Sequence, residues 1–199
     1  MMTPARLVVL ISGNGSNLQA ILDACQQGQL NAQVVAVFSN KPEAYGLERA
    51  RRANIPAIIF PKAKEQERRA YDAALAAAVS QHQPDWVILA GWMRLLSNEF
   101  LCSFPNRVIN LHPALPGCFP GTHAIERAFA AFQQGQIQHT GIMVHLVPDE
   151  GVDNGPVLAQ VTIPIDPQDS LASLEERVHA EEHRLLVQVL QTLTTPNGL

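Results

Sequence analysis

The sequence predicts an α/β fold. We read one doubly wound, mostly parallel sheet, with an antiparallel strand pair and a long helix at its C-terminal end. Three observations carry this. Short β-rich runs alternate with helix-period segments through the first 112 residues. Those runs are continuously apolar rather than alternating, as in strands covered by helices on both faces. Two further β-rich segments, 140–147 and 156–164, are then joined directly by a polar turn over 148–155.

The elements follow in order. Residues 7–11 (LVVLI) form a strand that stops at a Gly/Asn/Ser cluster. Leu18, Ile21, Leu22 and Cys25 then recur at helical spacing, and Gly28 closes the helix. Residues 34–38 are a second strand, ended by Ser39-Asn40-Lys41-Pro42. A helix over about 47–53 leads through Asn54 to a third strand at 57–60. The Ala-rich stretch 65–82 reads as a long helix, and Pro84-Asp85 punctuates it. Residues 86–90 and 108–112 are the fourth and fifth strands. Pro113, Pro116, Gly117, Pro120 and Gly121 make 113–121 an irregular loop. A helix over about 124–134 and an amphipathic helix over 170–194 complete the chain. Right-handed crossovers in such a sheet put a ligand site beyond the carboxyl ends of the strands.

Composition narrows the classes. Apolar residues make up 47% and charged residues 16% of 199, an ordinary globular balance. We see no repeat, low-complexity segment or linker, so the chain reads as a single domain spanning 1–199. The net charge of −4 argues against a broad nucleic-acid surface. Cys25, Cys102 and Cys118 are odd in number and lack CxxC spacing, which fits a reducing cytoplasm rather than a disulfide framework or a Cys-rich zinc site. The N-terminus lacks a secretory h-region, and no stretch reaches the roughly 18 apolar residues of a membrane span.

Three stretches are candidates for chemistry. Ser12-Gly13-Asn14-Gly15-Ser16-Asn17 lies between a strand and a helix. Glycines there let the backbone approach a ligand, and the helix N-terminus offers N–H groups to an anion. Leu18 occupies the place where a dinucleotide fingerprint needs its third Gly, and no Gly-Lys-Ser/Thr follows, so we expect a monophosphate or other small anion. The plain alternative is a tight turn with Ser16 or Asn17 as helix N-cap. Asn110 and His112 close a central strand, and strand alternation puts them on one side, an amide donor beside an imidazole. The loop Asp149-Glu150-Gly151-Val152-Asp153-Asn154-Gly155 supplies a carboxylate that can reach His112, orient it and raise its pKa. An EF-hand pattern of calcium ligands is absent from that loop. His179-Ala180-Glu181-Glu182-His183 fits an inverted zinc-protease pattern, but a downstream third ligand has little chain left to come from, so solvated helix charge is the better reading. Trp92-Met93-Arg94-Leu95-Leu96, after the fourth strand, combines apolar residues with one Arg, a set that suits a flat ring with an acidic tail.

Together these stretches resemble the phosphoribosylglycinamide formyltransferases, folate-dependent enzymes of purine synthesis on a Rossmann-like sheet. The resemblance rests on 8–20 (VVLISGNGSNLQA), 37–50 (VFSNKPEAYGLERA), 89–97 (LAGWMRLLS), 110–114 (NLHPA), 140–155 and Glu182-His183, in the family's order. It implies a nucleotide-phosphate half over about 1–105 and a catalytic, folate-binding half over about 106–199. It implies Gly15, Ser16 and Asn17 at the phosphate of glycinamide ribonucleotide and Glu182 at its ribose or glycinamide end. Arg68, Leu89, Trp92, Met93, Arg94, Leu95 and Leu96, with Asn110 and Asp153, would bind the folate, and Leu101 and Val108 would add apolar wall. Residues 149–153 would close over the pteridine. Asn110, His112 and Asp153 match the catalytic trio, with His145 close by. The implied cosubstrate is 10-formyltetrahydrofolate, without a metal. The implied partners are these two small molecules alone, with no nucleic acid and no membrane, in a monomer or homodimer.

The sequence departs from the family pattern at 114–121, where Pro116 comes one place early, at His179, which replaces a longer polar side chain, and at Pro148, an apparent insertion. Methionyl-tRNA formyltransferase shares the Asn-x-His…Asp core but adds a β-barrel domain and a basic tRNA surface. A 10-formyltetrahydrofolate hydrolase and a non-catalytic folate or nucleotide binder are the remaining alternatives.

Overall fold

The structure, a computed structural model, describes residues 3–195. Its core is a seven-stranded sheet of order β3-β2-β1-β4-β5-β6-β7. The strands are β1 (Ala5–Ile11), β2 (Ala32–Ser39), β3 (Ala57–Ile59), β4 (Trp86–Leu89), β5 (Val108–His112), β6 (His139–Leu146) and β7 (Val157–Pro164). Five run parallel, whereas β6 is antiparallel to β5 and β7 to β6. The helices are α1 (Ser16–Gln26), α2 (Tyr45–Arg52), α3 (Arg68–Ser80), α4 (Asn98–Leu101), α5 (Ala124–Gln133) and α6 (Leu171–Thr194).

The apolar runs behave as two-sided strands must. On β1, Leu7, Val9 and Ile11 pack with residues of α1, α2 and α6, while Val8 and Leu10 pack with residues of α3 and α4. All five are fully buried, each contributing about 1.5–3 kcal/mol of transfer free energy. No alternating pattern survives because neither face meets water.

The ends of elements shift for local reasons. β1 begins at Ala5 rather than residue 7, because the Arg6 backbone N–H donates to Asp85 at 2.7 Å and its guanidinium donates to the His82 and Gln83 carbonyls. A polar residue therefore joins an apolar strand. α3 starts at Arg68 rather than 65, since Glu67 is extended at the N-cap. The one-turn α4 lacks the length to show periodicity and was not anticipated.

Two glycines hold the turn after β1. Gly15 sits at φ 75° as the N-cap of α1, a conformation glycine adopts without steric cost. Gly46, at the start of α2, packs directly on it: a Cβ on Gly46 would lie 2.3 Å from Ile11 Cδ1 and 3.3 Å from the Gly15 Cα. The Gly46 N–H also donates to the Gly13 carbonyl at 3.1 Å.

Gly46→Ala is expected to cost about 1–3 kcal/mol of stability in urea unfolding, the usual price of overpacking. Gly13→Ala, where a Cβ meets nothing within 4 Å, is expected to stay near wild type. Equal losses at both positions would contradict the close approach.

Candidate active site

The site is built at the carboxyl end of β5. Strand alternation puts Asn110 and His112 on the same side. β6 pairs with β5 in the register Asn110↔His145, so His145 arrives opposite Asn110. β6 ends one residue later, and the chain crosses 147–156 before β7. That crossing delivers Asp153, whose backbone takes the left-handed conformation at φ 51°.

Four groups converge on the Asp153 carboxylate. Asn110 Nδ2 donates to Oδ1 at 2.9 Å, and the Gly121 backbone N–H donates to Oδ2 at 2.8 Å. His112 Nδ1 lies 3.3 Å from Oδ2, and His145 Nε2 lies 3.5 Å from Oδ1. Asn110 Nδ2 also contacts His145 Nε2 at 3.1 Å, while His145 Nδ1 faces the Leu146 carbonyl at 2.8 Å. A carbonyl only accepts, so His145 carries a proton on Nδ1, and its Nε2 faces Asn110 Nδ2 and Asp153 Oδ1. His112 Nε2 likewise faces the Phe119 carbonyl at 3.1 Å. Its proton is therefore on Nε2, and Nδ1 turns a lone pair toward Asp153.

Burial decides the charge of His112. The imidazole is 5% exposed, and this desolvation outweighs the nearby Asp153 charge and the Phe119 carbonyl, so its pKa falls below the ordinary 6.5. The carboxylate does pull the pKa up, as the sequence suggests, but the larger and opposite effect of burial sets the net direction. Burial pushes the Asp153 carboxyl up, but the His145 contact, the Gly121 N–H and the charge that His112 carries when it gains a proton outweigh burial and hold it below the usual range.

Beside this cluster lies a cavity of about 390 Å³, within the size range of small-ligand sites. It is lined by Leu89, Trp92, Met93, Arg94, Leu95 and Leu96, by Asn110, His112 and His145, and by 121–124 and 149–153. Met93 and Leu95 are 60% and 50% exposed, an apolar rim open to solvent. Arg94 stacks over the Tyr71 ring at 5.2 Å. The Trp92 Nε1 and Arg94 Nε donors are buried without a partner, and such groups call for one. Arg68 is not on the wall; it pairs with Glu150, which is, and whose other oxygen accepts from the Asn98 N–H at 3.1 Å. Leu101 and Val108 lie in the core cluster of the α3–α4 face rather than on the wall.

The first candidate loop lies against a second cluster of polar groups. No side chain caps α1, so neither Ser16 nor Asn17 is its N-cap. Asn17 Nδ2 reaches Glu182 Oε2 at 3.4 Å, its Oδ1 is buried without a partner, and Glu182 is itself buried. His179 Nδ1 lies 2.7 Å from the same Glu182 oxygen, and this bond raises the His179 pKa. The histidines of the zinc-like pattern thus divide, with His183 Nε2 left without a partner. Among the described residues no group of three or more His, Cys, Asp or Glu could hold a metal. Arg49 braces the loop, donating to the Asn14 carbonyl and Oδ1 at 2.9 Å each and to Gln19 at 3.1 Å. Ser12 ties the two regions together: its N–H donates to the Gly91 carbonyl at 3.0 Å, and its Oγ accepts from the Met93 N–H at 2.9 Å.

Sequence reasoning missed Arg49, Gly46, the Phe119 carbonyl and the Gly121 N–H; Glu150 belongs to the candidate loop, but its pairing with Arg68 was not read. Arg49 and Gly46 sit inside the 37–50 stretch, which contributes to the resemblance but carries no site assignment. The two backbone groups carry no signal in residue type.

A parallel sheet with an amide, an imidazole and a carboxylate at its carboxyl edge, beside an apolar cavity, defines a group-transfer enzyme of the acyl type. The comparisons agree. Residues 5–190 match the formyl transferase family model, and the chain belongs to that family. It is 50% identical to phosphoribosylglycinamide formyltransferase of Schizosaccharomyces pombe, over 97% of this chain and 99% of that protein. It is 43% identical to the Escherichia coli protein of the same name, over 92% and 84%. Among solved structures, glycinamide ribonucleotide transformylase 1 from Symbiobacterium toebii superimposes with a TM-score of 0.90 at 41% identity, covering 98% of this chain and 89% of that one.

The buried, neutral His112 carries a pH prediction. Its folded pKa lies below the unfolded 6.5, so below that pH the unfolded chain binds a proton that the folded chain refuses, and stability falls as pH drops through that window. His112→Gln is expected to lose less stability than wild type between about pH 7.5 and about pH 5.5, measured by urea unfolding. An identical decline in both would contradict the assignment.

Proposed function

We propose that the protein transfers the formyl group of 10-formyltetrahydrofolate to the primary amine of glycinamide ribonucleotide, giving formylglycinamide ribonucleotide and tetrahydrofolate. The observation that carries this is the convergence of Asn110, His112 and His145 on Asp153 beside an open apolar cavity.

The ribonucleotide phosphate sits on the open N-terminus of α1 at Gly15, Ser16 and Asn17, where free N–H groups and the helix dipole favour an anion. Glu182 and the unpartnered Asn17 Oδ1 accept from the ribose or glycinamide end. The folate ring occupies the cavity against Leu89, Trp92, Met93, Arg94, Leu95 and Leu96. Its acidic tail lies toward Arg68.

The amine nitrogen attacks the formyl carbon, and the carbonyl electron pair moves onto oxygen. His112 is neutral in the free site, so its Nδ1 lone pair takes the proton released by the amine, directly or through a water held by Asp153. The resulting imidazolium is stabilised by Asp153 and, with Asn110, stabilises the oxyanion. For this, Asn110 exchanges one of its bonds to Asp153 or His145. Collapse breaks the bond from carbon to folate N10, and the proton passes from His112 to N10. The three cysteines are free thiols, which supports a reducing, cytoplasmic setting.

The test is formyl release from 10-formyl-5,8-dideazafolate, followed by absorbance. Turnover is expected only with glycinamide ribonucleotide present. Equal rates without it would mean a hydrolase, and none with it a binder. Asn110→Ala is expected to raise the barrier by about 3–4 kcal/mol, and His112→Ala to abolish turnover with the fold retained. A His112→Ala protein with near-wild-type rate would overturn the roles given.

A further inference from the structure

The loop 113–121 touches both reactive groups through its backbone. The Phe119 carbonyl receives the His112 Nε2 proton, and the Gly121 N–H donates to Asp153. Within five residues, Phe119, Gly121 and His123 all take positive φ, at 45°, 81° and 57°. Two of these are not glycine, so the conformation persists only if its surroundings fix it.

One side chain does so. Arg127, an exposed residue of α5, donates from Nη2 to the Phe119 and Pro120 carbonyls at 2.7 Å each. Its Nε reaches the His123 carbonyl at 3.3 Å, and its guanidinium lies 5.9 Å from the Phe119 ring centre. Among the described residues Arg127 forms no ion pair with a carboxylate. A cation that could have paired with a surface carboxylate instead spends its fork on three backbone carbonyls, and charge-assisted bonds of this kind fix geometry strongly.

We propose that Arg127 is a positioning residue for the formyl transfer. It holds the 119–121 backbone so that Phe119 keeps the His112 proton on Nε2, leaving the Nδ1 lone pair for the reaction, while Gly121 fixes Asp153. This rests on the catalytic reading of His112 above. The guanidinium does not touch the reacting atoms. Phe119 links the two: its carbonyl accepts from both Arg127 and His112, so a shift of that carbonyl when the Arg127 bond is lost moves the His112 acceptor as well.

Arg127→Gln removes the fork from a surface position and leaves the core untouched. Two readouts test it on the full chain. The first is steady-state formyl transfer: kcat is expected to fall about 10- to 100-fold, as for a misplacement of about 1 Å. The KM for glycinamide ribonucleotide is expected to stay within about twofold, because that subsite lies on α1 and α6. Arg127→Lys is expected to recover part of the loss, since an ammonium still donates to a carbonyl. The second is the 15N shift pair of the His112 imidazole in the ligand-free protein at about pH 8, expected to report the Nε2–H form in wild type and a mixture in Arg127→Gln. A kcat near wild type, or a lost kcat with unchanged His112 shifts, would overturn the proposal. If wild type itself transfers no formyl group, the catalytic reading fails, while the His112 shifts still decide whether the clamp exists.

Discussion

The site depends on one buried carboxylate. Asp153 gathers an amide from β5, a backbone N–H from the 113–121 loop and two imidazoles, one from each of two neighbouring strands. An uncompensated carboxylate at this depth would cost several kcal/mol, so the N–H donors from Asn110 and Gly121 are a condition of the loop folding there at all. The strained backbone at Asp153 is held by the same four contacts. The turn in sheet direction makes this possible. Because β6 runs against β5 in register Asn110↔His145, the chain leaving β6 is already beside the trio.

The rest of the fold brings two substrates to that point. Parallel strands β1 and β4 end side by side, and Ser12 joins the loops that follow them, its Oγ also bonding Asn40 after β2 at 2.6 Å. One loop opens the N-terminus of α1 to an anion and the other forms the apolar wall. The rigid element between the subsites is thus the sheet itself, with the Gly15–Gly46 contact and Arg49 fixing the anion loop against α2. In the proposed reaction the chemistry takes place where the two meet, at Asn110 and His112.

Much of this was legible in the residues. The strands of the parallel half were readable because burial on both faces erases alternation, and Asn110 with His112 because a two-residue spacing at a strand's end has one geometric meaning. The carboxylate's reach to His112 and its upward pull on the imidazole's pKa were legible, but the larger opposing effect of burial was not. The net sign depends on how completely the 113–121 loop covers the ring, which no spacing records. Arg68 illustrates a second limit. The resemblance names it, yet its pairing with Glu150 joins residues 82 apart in sequence. Backbone donors and acceptors, here the Gly121 N–H and the Phe119 carbonyl, are the same chemical group at every position, so only the folded chain reveals them. The one-turn α4 fell below the length at which periodicity speaks.

Asp153→Asn tests the central role of that carboxylate most directly. The substitution keeps shape but replaces one acceptor oxygen with a donor facing Asn110 or Gly121, and it removes the charge that stabilises His112 when it gains a proton. The measurement is kcat for formyl transfer in a variant whose circular dichroism and ribonucleotide binding match wild type. A fall of about 10²- to 10⁴-fold is expected. A kcat within about threefold of wild type would contradict the claim that the site is organised around Asp153.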